Sequence, residues 1–117
     1  MGILLHIKEK GEKPMAALHL TKDNFEKEVM QETKPVLIDF WAAWCGPCQM
    51  LLPTIEELAD EVTDVKICKV NVDEEPELAE RYQIMTIPTL QFMKNGQVVS
   101  KQAGVKSKEE IKKMMQE

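Results

Sequence analysis

The sequence predicts a single α/β domain: a mixed central β-sheet flanked by helices on both faces. Three observations carry this. Short apolar runs suited to strands alternate with stretches of helical periodicity, in the order β-α-β-α-β-α-β-β-α. The early crossovers through helices require parallel neighbours. Near the end, Asn95-Gly96 between two extended runs requires an antiparallel hairpin. A chain of 117 residues can bury one real core without disulfide staples.

Residues 1–14 read as an N-terminal extension of unknown role, and residues 15–117 as the folded domain. Gly11 and Pro14 punctuate the extension. It reads as a flexible segment or as sequence upstream of a second start at Met15, while the alternation of Ile3, Leu5 and Ile7 also permits an extra edge strand. Ala17 to Leu20 is a short strand. Asp23 and Glu26, three apart, form a capping-box signal for a helix that carries Phe25 and Val29 inward. Val36 to Trp41 is apolar throughout except for Asp39, the pattern of a strand buried on both faces. A helix follows from about Gly46 to Val62, with Ile55, Leu58, Ala59 and Val62 at helical spacing. Pro53 lies within it and removes one backbone hydrogen bond, so a kink is expected there.

Val65 to Val72 is the next strand, and Pro76 opens a short helix ending near Tyr82. Thr89 to Met93 and Gln97 to Ala103 form the hairpin. Ser107 and Glu110 make a second capping box, opening a last helix with Ile111, Met114 and Met115 on one side.

Composition excludes several roles. Charged residues make up 30% and hydrophobic residues 44%, ordinary for a globular protein. The net charge is −5 and no Lys/Arg cluster stands out, which argues against nucleic acid as a partner. No apolar run approaches the roughly 20 residues that span a membrane. The first residues lack the basic start and the cleavage site of a secretory signal. Three cysteines, an odd count, suit a reducing compartment, so the expected location is the cytoplasm.

Chemistry concentrates at Cys45 and Cys48. Residues i and i+3 of a helix share a face, at a Cα separation of roughly 5–6 Å that suits a disulfide. The pair can therefore close and open as a two-electron switch with little backbone movement. Cys45 stands where strand gives way to helix, beside unpaired backbone N–H groups. The helix N-terminus favours a thiolate there by about 2 kcal/mol at most, equivalent to about 1.5 in pKa. From an ordinary thiol near ~8.5, about half would be thiolate at neutral pH. The thiolate fraction rises roughly 16-fold while its intrinsic reactivity falls about fivefold, a net gain of only ~3-fold. Substrate docking and the preset Cys48 must supply more. Zinc competes for any such pair, but a structural site takes four ligands, and Cys68, His6 and His19 do not complete one by spacing. A purely structural disulfide is disfavoured because its loop is too short to constrain the unfolded chain. Asp39 is the other anomaly. Burying a lone carboxylate is costly, and burial should raise its pKa toward neutrality.

The stretch "FWAAWCGPC" resembles the active-site motif of the thioredoxin family. Asp39, Pro53, "KVNVDEE" at 69–75, "IPTLQFMKNG" at 87–96 and Gly104 match in register, so the resemblance covers Met15 to the C-terminus. It implies the thioredoxin fold and a protein-disulfide reductase. Cys45 would attack a target disulfide, and Cys48 would resolve the mixed disulfide. Asp39 would take the proton from Cys48, and Lys69 would adjust the proton affinity of Asp39. Pro88 would be the cis-proline that holds Ile87 extended for pairing with an incoming peptide. Trp44, Gly46, Pro47, Ile87, Pro88 and Gly104 would form a flat docking patch around Cys45. Trp41 would support the loop. Cys68, in an apolar strand, reads by itself as a small buried core residue, with regulatory oxidation as the minority alternative.

The resemblance further implies a monomer with no bound cofactor and no metal. Disulfide-containing target proteins and thioredoxin reductase, which passes on electrons from NADPH, would be its partners in cytoplasmic redox homeostasis. Gly46-Pro47 offers no cation to stabilise a thiolate, so the pair should act as a reductant rather than as an oxidase or isomerase. Ala43 and Gln49 depart from the family's usual acidic residue and lysine. A redox-independent binding module is the competing reading, but it needs neither the cysteine pair nor the buried aspartate.

Overall fold

The computed structural model describes residues 16–117. The readings made for residues 1–15, including an extra strand from Ile3, Leu5 and Ile7, lie outside the described residues. Among those described, the elements are β1 (Leu18–His19), α1 (Glu26–Met30), β2 (Val36–Trp41), α2 (Gly46–Glu61), β3 (Lys66–Asn71), α3 (Pro76–Arg81), β4 (Thr89–Lys94), β5 (Gln97–Ala103) and α4 (Lys108–Met114). The strands form one sheet in the order β1-β3-β2-β4-β5. β3 pairs in parallel with both β1 and β2. β4 pairs antiparallel with β2 and β5. The expected mixed sheet is the one observed.

Strand alternation divides the core into two layers. Val36, Ile38 and Phe40 point into a layer with Phe25, Val29, Val70 and Leu78, which α1 and α3 cover. Leu37 points the other way, into a layer with Leu51, Ile55 and Leu58 of α2 and Ile111 and Met114 of α4. Asp39 follows Leu37 by two residues and so faces α2. β2 is central and covered on both sides, which is why it reads as nearly unbroken apolar sequence.

The local signals work out unevenly. Ser107 Oγ accepts from Glu110 N–H at 3.1 Å, and Ser107 N–H donates to Glu110 Oε1 at 2.8 Å, a complete capping box. Asn95 and Gly96 take φ of 51° and 76° at the hairpin tip, as a tight I′ turn requires. α2 runs on through Pro53, which lies on its exposed face.

The first helix differs from expectation. The reciprocal bonds join Thr21 and Asn24, not Asp23 and Glu26. Thr21 N–H donates to Asn24 Oδ1 at 2.8 Å, and Asn24 N–H to Thr21 Oγ1 at 3.2 Å. The helix closes as a wide π turn, with Gln31 N–H donating to Glu26 O at 3.0 Å. The reason is tertiary. Phe25 and Val29 must both reach the core beside β2, and the cap falls where the chain leaves Leu20 rather than where the charged pair stands.

Candidate active site

The site gathers at the end of β2, the start of α2, the turn before β4 and the end of β5. Cys45 is the N-cap of α2, with extended backbone (φ −91°, ψ 114°). Its sulfur accepts the Cys48 N–H at 3.2 Å, satisfying one of the donors that a helix start leaves open. Pro47 stands in the first turn, where a missing N–H costs nothing. Cys45 and Cys48 are joined as a disulfide, with Cα atoms 5.2 Å apart. Both residues are covered, Cys45 at 5% and Cys48 at 2% exposure. Ala42, Trp41, Val72 and Ile87 pack around both.

The Ile87–Pro88 peptide bond is cis. The Ile87 carbonyl oxygen lies 3.8 Å from Cys45 Sγ. Gly104 donates its N–H to Pro88 O at 2.9 Å and has φ +96°, a conformation that favours glycine. That bond ties the end of β5 to the turn beside the disulfide. Gly46 and Pro47 are exposed next to Cys45, and a Cβ at Gly46 would meet open space. Trp44 is 72% exposed, yet its Nε1–H donates to Asp73 Oδ2 at 2.8 Å. Sequence reasoning gave Asp73 no role. It lies in the quoted 69–75 stretch, and only the fold brings it to Trp44. Gln49 Nε2 donates to Ala43 O at 3.2 Å, so the two positions that depart from the family pattern touch each other. Met85, two residues before Ile87, is 89% exposed and went unremarked in the sequence.

Below the disulfide lies a buried charge group. Asp39 is fully buried, and neither carboxylate oxygen has a hydrogen-bond partner. Burial pushes its pKa up from 3.8 to about 7. The Lys69 ammonium pulls against this and the Glu56 carboxylate adds to it. Lys69 is the β3 residue in register with Asp39 and is itself buried. Its Nζ sits 2.9 Å from Glu56 Oε2 and 5.8 Å from the centre of the Trp41 ring. Glu56 Oε1 accepts the Ala17 N–H at 3.0 Å. Sequence reasoning missed Glu56. Its charge nearly three turns into α2, one residue after buried Ile55, was the available signal.

Cys68 is fully buried in β3, and burial pushes its thiol up to about 12. Among the described residues, no three His, Cys, Asp or Glu side chains converge in a metal-binding arrangement. No helix among them is long and apolar enough to cross a membrane.

The thioredoxin family model matches residues 16–117. The thioredoxin of Alicyclobacillus acidocaldarius is 47% identical over 97 residues, covering 82% of this chain and 91% of that protein. The thioredoxin of Acidithiobacillus ferridurans is 44% identical over 97 residues, covering 82% and 90%. That of Mycobacterium bovis is 46% identical over 94 residues, covering 80% and 81%. With a disulfide-forming pair at the head of α2 in a mixed five-stranded sheet, the chain belongs to the thioredoxin family of thiol–disulfide oxidoreductases and carries the dithiol–disulfide pair of a protein-disulfide reductase.

Proposed function

We propose that this chain reduces disulfides in target proteins by a two-step exchange in which Cys45 attacks and Cys48 resolves. In the reduced protein, the Cys45 thiolate attacks one sulfur of a target disulfide. The target S–S bond breaks, one target thiolate leaves, and a mixed disulfide forms on Cys45. Cys48 then gives its proton to Asp39 and attacks Cys45 Sγ. The mixed disulfide breaks, the second target thiolate leaves, and Cys45–Cys48 closes. Two electrons have passed to the target. Thioredoxin reductase, drawing on NADPH, restores the dithiol, and the protein works as a monomer without a bound cofactor in the cytoplasm.

The position of Cys45 carries this reading. As N-cap, its sulfur receives a backbone N–H, which favours a thiolate over a thiol. Cys48, one turn on, already stands at bonding reach, so resolution needs little motion. Asp39 supports the second step because a carboxyl with a pKa of about 7 can hold or release a proton at neutral pH. In this reading Trp44, Gly46, Pro47, Ile87, Pro88 and Gly104 form the docking surface for an extended target segment; the exposure of Trp44, Gly46 and Pro47 and the Gly104 N–H bond to the carbonyl of buried Pro88 support it. Lys69 acts on Asp39 through its charge.

Replacing Cys48 with serine tests the order of events. Cys48→Ser should accumulate mixed disulfides through Cys45 when mixed with a disulfide-bonded protein, whereas Cys45→Ser should not. Absence of any trapped adduct, together with no disulfide-reducing activity in the unaltered protein, would sink the proposal. Biological activity retained by the Cys45→Ser/Cys48→Ser double variant would favour a redox-independent binding role instead.

A further inference from the structure

We propose that Glu56 is a positioning residue: it engages the Lys69 ammonium in an ion pair and so keeps that cation from neutralising Asp39, the proton acceptor for Cys48. The inference rests on the Asp39 role proposed above. Three observations carry it. Asp39 and Lys69 are register partners on adjacent strands and point to the same face of the sheet. Side by side and both buried, they would ordinarily be expected to pair, because an unpaired buried carboxylate is costly. Yet both Asp39 oxygens lack a hydrogen-bond partner, and the Lys69 Nζ lies 2.9 Å from Glu56 Oε2 instead.

Glu56 is held for this task. Its other oxygen accepts the Ala17 N–H at 3.0 Å, so the carboxylate is clamped between the entry to β1 and the ammonium. Around Asp39, β3 contributes Lys69 and α2 contributes Glu56 as ionisable groups. Its β4 partner is Leu90, and α4 brings the apolar Ile111 and Met114 to this layer. Cys48 is the acid that Asp39 would serve. The consequence is chemical. A carboxylate paired with a lysine ionises at low pH and is a weak base near neutrality. One left unpaired in an apolar setting holds its proton until near pH 7 and is the stronger base.

The test reads the Asp39 carboxyl directly, by carbon-13 NMR titration of the oxidised protein. In Glu56→Gln, loss of the charge and release of Lys69 both act downward, so the Asp39 midpoint should fall by about 1 pH unit or more. In Glu56→Gln/Lys69→Met, which removes the ion pair whole and so strands no buried charge, the midpoint should return to near the unaltered value. A Glu56→Gln midpoint equal to that of the unaltered protein overturns the proposal. So does a double variant that titrates as low as the expected single-variant value, because the effect then does not run through Lys69. If only the double variant folds, its midpoint still decides on that second criterion. Mixed-disulfide resolution should follow, with the rising limb of its pH profile moved to lower pH in Glu56→Gln. Failure of the Asp39 role itself is distinguishable: Asp39→Asn would then leave the resolution rate unchanged, while the NMR shift in Glu56→Gln would still be seen.

Discussion

Asp39 concentrates the conflict between stability and chemistry in one side chain. It is fully buried without a hydrogen-bond partner, and its pKa stands at about 7 against an ordinary 3.8. The unfolded chain releases this proton near pH 3.8, while the folded chain keeps it until about pH 7. Between those values the native state binds more protons, so stability from this group is full below pH 3.8 and declines as pH rises toward 7. A gap of about 3 in pKa corresponds to about 4 kcal/mol of stability lost by pH 8. Asp39→Asn carries no charge and escapes that loss. Denaturant unfolding of the oxidised protein should show the variant gaining on the unaltered chain by about 2–3 kcal/mol between pH 5 and pH 8. A difference that stays flat with pH would mean that Asp39 is not the group held neutral. The anomaly itself was legible, because a carboxylate in the run Val36–Trp41 has few innocent explanations. The contribution of Glu56 was not. Glu56 comes near Asp39 through tertiary placement: the register of β2 and β3 sets Lys69 beside Asp39, Glu56 pairs with Lys69, and Ala17, 39 residues away in sequence, donates to its other oxygen.

Secondary-structure elements show where local sequence decides and where packing overrides it. α2 and α4 begin where their signals stand, at Cys45-Gly46-Pro47 and at Ser107–Glu110, because each cap is completed within four residues. α1 is different. Five residues do not hold a helix by themselves, and this one is pinned from outside. Lys66 of β3 donates to the Glu28 carbonyl at 3.0 Å and reaches the Glu28 and Glu32 carboxylates at 2.5 and 3.0 Å. With that anchor available, the chain can enter α1 through Thr21 and Asn24 and leave Asp23 and Glu26 to solvent. The two candidate caps are separable by mutation. Asn24→Ala removes bonds to Thr21 N–H and to the His19 carbonyl and should cost about 1 kcal/mol. Asp23→Ala should stay within about 0.5 kcal/mol of the unaltered protein, as exposed substitutions do. Equal losses in denaturant unfolding would return the cap to the charged pair.

Across the whole molecule, three cysteines share one fold without interfering, and their separate packing clusters explain how. Cys45 and Cys48 sit at the end of the sheet, where β2 hands over to α2. Cys68 sits in β3 with β1 on one side and β2 on the other, its side chain in the layer built from Leu20, Phe25, Val29, Ile38 and Phe40. A thiol pushed up to about 12 holds almost no thiolate at neutral pH, and full burial denies it a partner for exchange. The expectation of a small core cysteine followed from an apolar strand alone, but its isolation from the active pair depends on strand alternation, which turns Cys68 into the layer of Phe25, Val29 and Leu78 while Cys45 and Cys48 pack in a separate cluster with Ala42. Cys68 therefore serves as a probe of global opening. The segments that cover it come from β1, α1, β2 and α3, so no single loop can expose it. In the oxidised protein, an alkylating reagent should modify Cys68 only through unfolding, with a denaturant dependence equal to that of global unfolding measured by circular dichroism. Labelling with a much smaller denaturant dependence would show instead that the two-residue β1 and the short α1 detach as a local unit, and that the layer over Cys68 opens while the active-site end stays folded.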